Sequence, residues 1–209
     1  MTGYFVTGTD TNVGKTVLSA LLVAALDAVY WKPVQTGVIE GTDRESVRRW
    51  SEASEDRLRP ERFRFDPPVS PHLAAREAGV TITLDAFEFP KAAADRKWIV
   101  EGAGGAMVPL NERELMRDLM LRLGLPVIVA ARTSLGTINH TLLTLSALRE
   151  ARIPICGVAL IGDENAENRR AIEHYGDARV IGRVPMLKQI HRAALLEAYE
   201  KHFDHGVFA

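Results

Sequence analysis

Short apolar runs rich in β-branched and aromatic residues recur along the chain at Tyr4–Val6, Val29–Trp31, Trp98–Val100, Val127–Ala130, Ile155–Ile161 and Val180–Ile181. Between most of them lie longer stretches whose apolar residues return at helical spacing, such as Val17, Leu18, Leu21, Leu22 and Ala25 after the first run. Strands covered on both faces read as unbroken apolar runs, so this alternation predicts an α/β fold with a mainly parallel sheet and helices on both faces. In such sheets ligands bind outside the carboxyl ends of the strands. The residues that follow each run are therefore where chemistry is to be sought.

Helix signals refine the picture. Thr42-Asp43-Arg44-Glu45 has the form of a capping box and predicts a helix to about Ala53. Asp43 is not needed for the box and is open to either a dipole-stabilising or a metal-facing role. Arg57 to Arg64 is charge-rich and predicts a solvated connection; Leu73 to Glu77 predicts a short helix after Ser70-Pro71-His72, and Asp85 to Arg96 another, interrupted at Pro90. Ser70 and His72 either present donors to a ligand or form a rigid turn. Ser134 to His140 opens a striped helix through Leu148, Ala166 to Tyr175 is helical, and the tail from Ile190 to Phe203 is amphipathic.

The first strand leads into Gly8-Thr9-Asp10-Thr11-Asn12-Val13-Gly14-Lys15-Thr16, and the helix begins at once. Strand, glycine-bearing loop and helix together turn backbone N–H groups and a positive helix end onto one point, where a polyphosphate sits. Lys15 is then placed for the terminal phosphates, and the Thr16 hydroxyl for the accompanying magnesium ion. Five residues separate Gly8 from Gly14, one more than the usual pattern, so the loop is a variant. It resembles that of chromosome-partition switch ATPases, but Asp10 stands where those carry an extra lysine. A second cation for a transferring phosphoryl group has to come from elsewhere.

Lys32 ends the second run and is followed by Pro33-Val34-Gln35-Thr36-Gly37. It is either a cation in the crevice of Lys15 or an exposed lysine at an ordinary turn. Thr36 and Gly37 suit a loop that closes on a small ligand. Glu101 ends the third run, with Gly102-Ala103-Gly104-Gly105 read as a flexible loop behind it. An acid there is expected to hold magnesium, so Thr16, Asp43 and Glu101 could share one hard cation. Gly182 to Met186 reads as a strand exit that could border a nucleotide base, and Gly136-Thr137 as either a helix entry suited to a carboxylate or an ordinary helix cap.

Composition narrows the classes. With 209 residues and no linker, repeat or low-complexity segment, residues 1–209 are expected to form one domain. Lys and Arg total 26 against 27 Asp and Glu, which gives no general attraction to nucleic acid or anionic membrane. No apolar run approaches the ~18 residues of a membrane span, and the lone Cys156 fits a cytoplasmic location. The six histidines lack metal-site spacing.

Taken in order, the phosphate loop, Lys32 to Gly37, Ser70-Pro71-His72, Glu101 to Gly105 and Leu135-Gly136-Thr137-Ile138-Asn139-His140 resemble the ATP-dependent dethiobiotin synthetases over most of residues 3–187. The resemblance implies a P-loop NTPase-like fold and ring closure of 7,8-diaminononanoate with CO2, at the expense of ATP and with magnesium. It implies Lys15 and Lys32 around the reacting carbamate and γ-phosphate, and magnesium on Thr16, Asp43 and Glu101. Asn12, Val13, Gly14, Lys15, Thr16 and Val17, with Glu101, Gly102, Ala103 and Gly104, would line the nucleotide, and Val184, Pro185 and Met186 would border its base. Thr36 would face the diamine, whose carboxylate tail would lie near Leu135, Gly136 and Asn139 at a homodimer interface. Family members often carry an acid at the Asn12 position and a base-reading asparagine where this chain has Ile161-Gly162-Asp163; Asn165 or main-chain groups near Gly182 to Met186 are candidates for that second task. Two alternatives share the loop and sheet: an amide-forming ligase of the cobyrinate type and a regulatory partition-type ATPase.

Overall fold

The computed structural model describes residues 2–39, 41–89 and 96–208. In chain order these form β1 (Gly3–Gly8), α1 (Lys15–Leu26), β2 (Val29–Trp31), β3 (Val34–Thr36), α2 (Asp43–Ser51), β4 (Leu58–Arg59), β5 (Phe63–Phe65) and α3 (Pro71–Glu77). They continue as β6 (Trp98–Gly105), α4 (Met116–Leu123), β7 (Val127–Arg132), α5 (Thr137–Glu150), β8 (Ile155–Ile161), α6 (Ala166–Gly176), β9 (Val180–Val184) and α7 (Arg192–His202). Among the described residues, seven strands make one sheet in the order β4-β2-β6-β1-β7-β8-β9, and each pairing is parallel.

Side chains alternate across this sheet, so adjacent residues serve different cores. Phe5, Val100, Val127 and Val129 face a core closed by Met116 and Leu119 of α4 and Leu145 and Leu148 of α5. Val6, Ile99, Ile128 and Ala130 face the other, closed by Leu18, Leu21 and Leu22 of α1 and Leu195 of α7. Each of the three fully buried leucines of α1 stabilises the fold by roughly 2 kcal/mol. The helix stops at Asp27, a left-handed residue with φ 49° whose N–H returns to the Val23 carbonyl. The chain end closes the same layer: the Tyr4 hydroxyl donates to the Val207 carbonyl at 3.0 Å, and Phe208 packs edge-on against Tyr4.

Sheet order places the crevice. From β1 the chain moves to β2 on one side of the sheet and later to β7, β8 and β9 on the other, with β6 inserted between β1 and β2. The reversal lies at the carboxyl ends of β1 and β6, the position favoured for ligands in doubly wound sheets.

Several expectations are corrected. The third run does not end at Val100: β6 continues to Gly105, with Glu101 paired to Val6 and Gly105 to Gly8 on either side of a register irregularity. Arg57 to Arg64 is largely solvated, with Arg59, Pro60, Arg62 and Arg64 exposed, but it is not a plain connection: it contains β4 and the start of β5, and Arg57 is buried with its guanidinium 2.7 Å from Asp27. Thr36 is not in a loop but ends β3, which pairs with β5 in a separate two-stranded parallel sheet. The second half of the helix expected over Asp85 to Arg96 lies largely outside the described residues, and its start is a single tight turn, Leu84–Ala86. β9 runs to Val184, so the exit begins at Pro185.

Candidate active site

The phosphate loop leaves β1 at Gly8, where a side chain has no room. A Cβ there would lie 2.7 Å from Val13 Cγ2, 2.8 Å from the Asp10 carbonyl and 3.1 Å from Lys15 Nζ. Asn12 takes a left-handed conformation, and Gly14 caps α1 at φ 97° with Ile161 Cγ2 where its Cβ would be. Gly14 supplies no capping side chain, which leaves the N–H groups of the first turn of α1 without a side-chain cap, an arrangement suited to an anion. Val13 is buried beneath the loop and anchors it to the α1 core. Lys15 Nζ donates to the Asp10 carbonyl at 3.0 Å and is almost wholly buried.

Lys32, Asp43 and Glu101 come together beside Thr16. Lys32 Nζ donates to Asp43 Oδ2 and, at 3.2 Å, to Glu101 Oε1. Lys32 is only 5% exposed, which decides between its two sequence readings: it is a crevice cation and not a turn lysine. The capping box at Thr42 and Glu45 forms as expected, and it starts α2 so that Asp43 faces inward. Glu101 is fully buried in β6, where Gly102 and Ala103 behind it are also enclosed and offer the crevice backbone only.

Electrostatics separates the two lysines. Burial pushes the Lys15 ammonium below the ordinary lysine range and Lys32 adds to this, against the pull of Glu101, Asp43 and Asp10. Burial opposes the charge of Lys32 too, but Glu101 and Asp43 outweigh it and hold its pKa above the ordinary range. Asp43 shows the complement: burial works against its charge, and Lys32 prevails, so its carboxyl is held below the usual range. As the medium becomes alkaline, Lys15 is the first of the two lysines to lose its proton.

The donor set fits magnesium. Thr16 Oγ1 lies 2.9 Å from Glu101 Oε1 and 3.0 Å from Asp43 Oδ1, yet a hydroxyl has one proton and can donate to only one of them. Two carboxylates and a hydroxyl gathered this closely are favourable when a cation is shared among them. An all-oxygen set with few protein ligands suits an ion that keeps water and substrate phosphate in its remaining positions.

Two residues support the site in roles that the sequence does not reveal. The buried Tyr30 hydroxyl donates to Glu101 Oε2 at 3.0 Å; burial and then the neighbouring carboxylates raise the phenol well above its ordinary pKa, so it remains a donor. Gln35 accepts from the Asp43 N–H at 3.2 Å and donates to the Thr36 carbonyl at 2.8 Å, bracing the start of α2 against β3. A signal for Tyr30 existed: it lies two residues before Lys32 and therefore on the same face of an extended chain.

The remaining candidates are more scattered. Thr36 is half-buried at the end of β3. Gly104 has φ 67° and turns the β6 backbone against Val108. Leu135, Gly136 and Asn139 are exposed at the start of α5, and none of them lines the cavity of about 530 Å³ formed by Gly8 to Thr11, Gly105 to Pro109 and His140, Leu143 and Thr144. Val184 is buried and can offer only main-chain groups, whereas Met186 is exposed beyond Pro185. Asn165 caps α6, its side-chain oxygen accepting from the Asn168 N–H at 2.9 Å. Ser70 Oγ and His72 Nδ1 are 3.0 Å apart, paired with each other. Among the described residues no helix is long and apolar enough to cross a membrane.

Similarity to known proteins extends over nearly the whole chain. A family model described as an AAA domain matches residues 2–194. The ATP-dependent dethiobiotin synthetase BioD of Rhodopseudomonas palustris is 49% identical over 199 residues, covering 95% of this chain and 93% of its own length. That of Paramagnetospirillum magneticum is 51% identical over 195 residues, with 93% of each chain covered. Among solved structures, a ParA family ATPase from Chlorobium tepidum superposes with a TM-score of 0.55 at 14% identity, covering 95% of this chain and 90% of that one, a likeness of fold.

Proposed function

The chain belongs to the family of ATP-dependent dethiobiotin synthetases, and on that footing we propose how its residues divide the work of the reaction. The enzyme uses ATP to close 7,8-diaminononanoate with CO2 into the cyclic urea of dethiobiotin, a C–N bond-forming step of biotin biosynthesis. The observation that carries the assignment of roles is the meeting of Lys32, Asp43, Glu101 and Thr16 at the mouth of the phosphate loop.

In this reading Asn12 to Val17 and the backbone of Glu101 to Gly104 cradle the triphosphate. The nucleotide then runs along the crevice from the β2 side, where Lys32 stands, toward the β9 side, where Val184, Pro185 and Met186 border the base. The sheet order and the packing of Ile161 on Gly14 support that direction. Thr16, Asp43 and Glu101 would hold magnesium, which when bound supplies positive charge to the phosphoryl oxygens. Glu101 is kept in place by Tyr30, and Asp43 by Gln35.

The cavity beside Gly8 to Thr11 takes the diamine, its methylene chain against Met107, Val108 and Leu143. A neutral amine adds to CO2, releases a proton and becomes a carbamate. A carbamate oxygen attacks the γ-phosphorus, ADP leaves, and the second amine closes on the carbonyl carbon and expels phosphate. Lys15 and Lys32 are fixed, water-poor charges on either side of the reacting oxygens, so they stabilise charge as it develops without reorganising. Thr36 orients the diamine, and holding both amines on one chain makes the closure intramolecular.

Exposed Leu135, Leu143 and Met107 support a homodimer in which Leu135, Gly136 and Asn139 of one protomer meet the carboxylate tail bound by its partner. The reading carries a cytoplasmic location. Cys156 is unsuited to the nucleophilic role of an amidoligase, since burial pushes its thiol up to about 11. In a reaction of purified protein with magnesium, ATP, bicarbonate and diamine, dethiobiotin, ADP and phosphate are expected in equal amounts by mass spectrometry. Sedimentation of the same sample is expected to give twice 23.1 kDa. ADP formation that needs neither diamine nor bicarbonate, or a fully active monomer, would contradict the corresponding half of this proposal.

A further inference from the structure

Arg132, the last residue of β7, belongs to none of the motifs that mark the site, yet it touches the phosphate loop. Its Nη2 donates to the Thr11 carbonyl at 2.9 Å and lies 4.0 Å from Asp10 Oδ2. The same turn is gripped from its inner side, where Lys15 Nζ donates to the Asp10 carbonyl at 3.0 Å. Within the turn, Asp10 Oδ1 accepts from the Thr11 N–H at 2.7 Å, and the Thr9 N–H reaches the Ala130 carbonyl of β7 at 3.0 Å. Asp10 and Thr11 are thus held between two cations carried on rigid elements, Lys15 on the first turn of α1 and Arg132 on a strand whose backbone is paired to Ile161 of β8.

This turn has a second surface. Asp10 and Thr11 form one wall of the cavity assigned above to the diamine, whereas the nucleotide is assigned above to Asn12 to Val17 and the backbone of Glu101 to Gly104. The Arg132–Asp10 pair is half exposed on both sides, so its direct attraction is weak. The hydrogen bond to the Thr11 carbonyl is the contact that fixes shape, because a charged donor on a carbonyl is stronger than the neutral bonds that otherwise define a loop.

We propose that Arg132 is a positioning residue for the amine substrate: it fixes the Asp10–Thr11 turn, and with it the cavity wall, while leaving the nucleotide to the residues from Asn12 onward and to β6. The inference rests on the diamine occupying that cavity. Without the guanidinium the turn samples other arrangements, and the substrate must select the one that fits, which raises the apparent dissociation constant and not the barrier once bound.

The test is steady-state kinetics of Arg132→Ala and Arg132→Lys at saturating ATP and bicarbonate, with binding of a fluorescent ATP analogue measured separately. Arg132→Ala is expected to raise the diamine KM about tenfold, with kcat and the analogue dissociation constant within about threefold of the parent. Arg132→Lys, which keeps one charged donor within reach of the Thr11 carbonyl, is expected to recover KM to within about threefold. An unchanged KM in Arg132→Ala overturns the inference, as does a fall in kcat or thermal midpoint without a change in KM, or a lysine variant no better than alanine. Thr144→Trp, which fills the cavity from α5, separates this from the reading beneath it. If Thr144→Trp raises KM and Arg132→Ala does not, Arg132 is not the positioning residue; if Thr144→Trp leaves KM unchanged, the diamine does not occupy the cavity.

Discussion

Lys32→Met is expected to lower turnover of the diamine by ~10²-fold or more, the scale on which one preorganised charge stabiliser acts. Methionine keeps much of the length and removes the ammonium. Its second effect follows from what Lys32 touches. The side chain is only 7% exposed and pairs with Asp43 and Glu101, so the variant leaves two neighbouring carboxylates short of a partner. Breaking a buried pair is strongly destabilising; because Asp43 keeps 29% of its side chain in water, the loss is on the order of 3 kcal/mol. The thermal midpoint in chelator should therefore fall by roughly 10 °C. Magnesium should restore much of it, since a dication on the same oxygens replaces the lost charge, and its midpoint concentration for stabilisation should be lower than in the parent. Scanning calorimetry with and without magnesium, beside turnover measurements, checks both. Turnover within threefold of the parent would make Lys32 a structural partner of the two acids and no part of the chemistry.

Glu101→Gln is expected to cost ~10²-fold in turnover as well, but with the opposite response to metal. The amide preserves shape, and Tyr30 can turn its hydroxyl to accept where it had donated, so the fold should survive nearly unchanged. What is lost is the negative charge beside Thr16 and Lys32. The magnesium concentration needed for half-maximal activity should rise by about tenfold or more. Metal titrations of the two variants thus move in opposite directions from the parent. Parallel shifts would mean that Lys32 and Glu101 do not face one cation site.

The contrast between what was legible in the chain and what was not is physical. Gly8 to Thr16 could be read because all its parts are contiguous: a strand, a turn forced by close approach, and a helix start. Thr42 and Glu45 could be read because a capping box is closed within one turn. Lys32 and Glu101 were found as charged residues terminating apolar runs, yet their burial and their pairing with Asp43 depend on β2 and β6 lying side by side, which no local pattern specifies. The same rule of a charged residue after an apolar run marks Arg132, although that position was passed over.

Other misses came from short elements. β3 and β5 have three residues each, too few for a period to show, and the alternation of Phe63 and Phe65 with Arg64 was masked by surrounding charge. β6 outran its apolar stretch because Gly105 pairs again with Gly8 beyond an irregularity in which Gly104 turns to φ 67°. α4 lies in a stretch between β6 and β7 to which the apolar pattern gave no element, and its buried Met116, Leu119 and Met120 take their partners from distant strands. Gln35 was visible in a motif but its purpose was not, since it acts on Asp43 across a loop.

The most direct test of the account follows an oxygen atom. If the carbamate attacks the γ-phosphorus between Lys15 and Lys32, ring closure breaks the bond between the carbonyl carbon and that oxygen, which leaves with the phosphate. Bicarbonate labelled with oxygen-18, in a reaction quenched before the label exchanges with water, should give phosphate carrying one labelled oxygen for each dethiobiotin formed. Equal amounts of dethiobiotin and unlabelled phosphate would mean that ATP is cleaved by some other nucleophile, and the site as described would not be where the ring is activated.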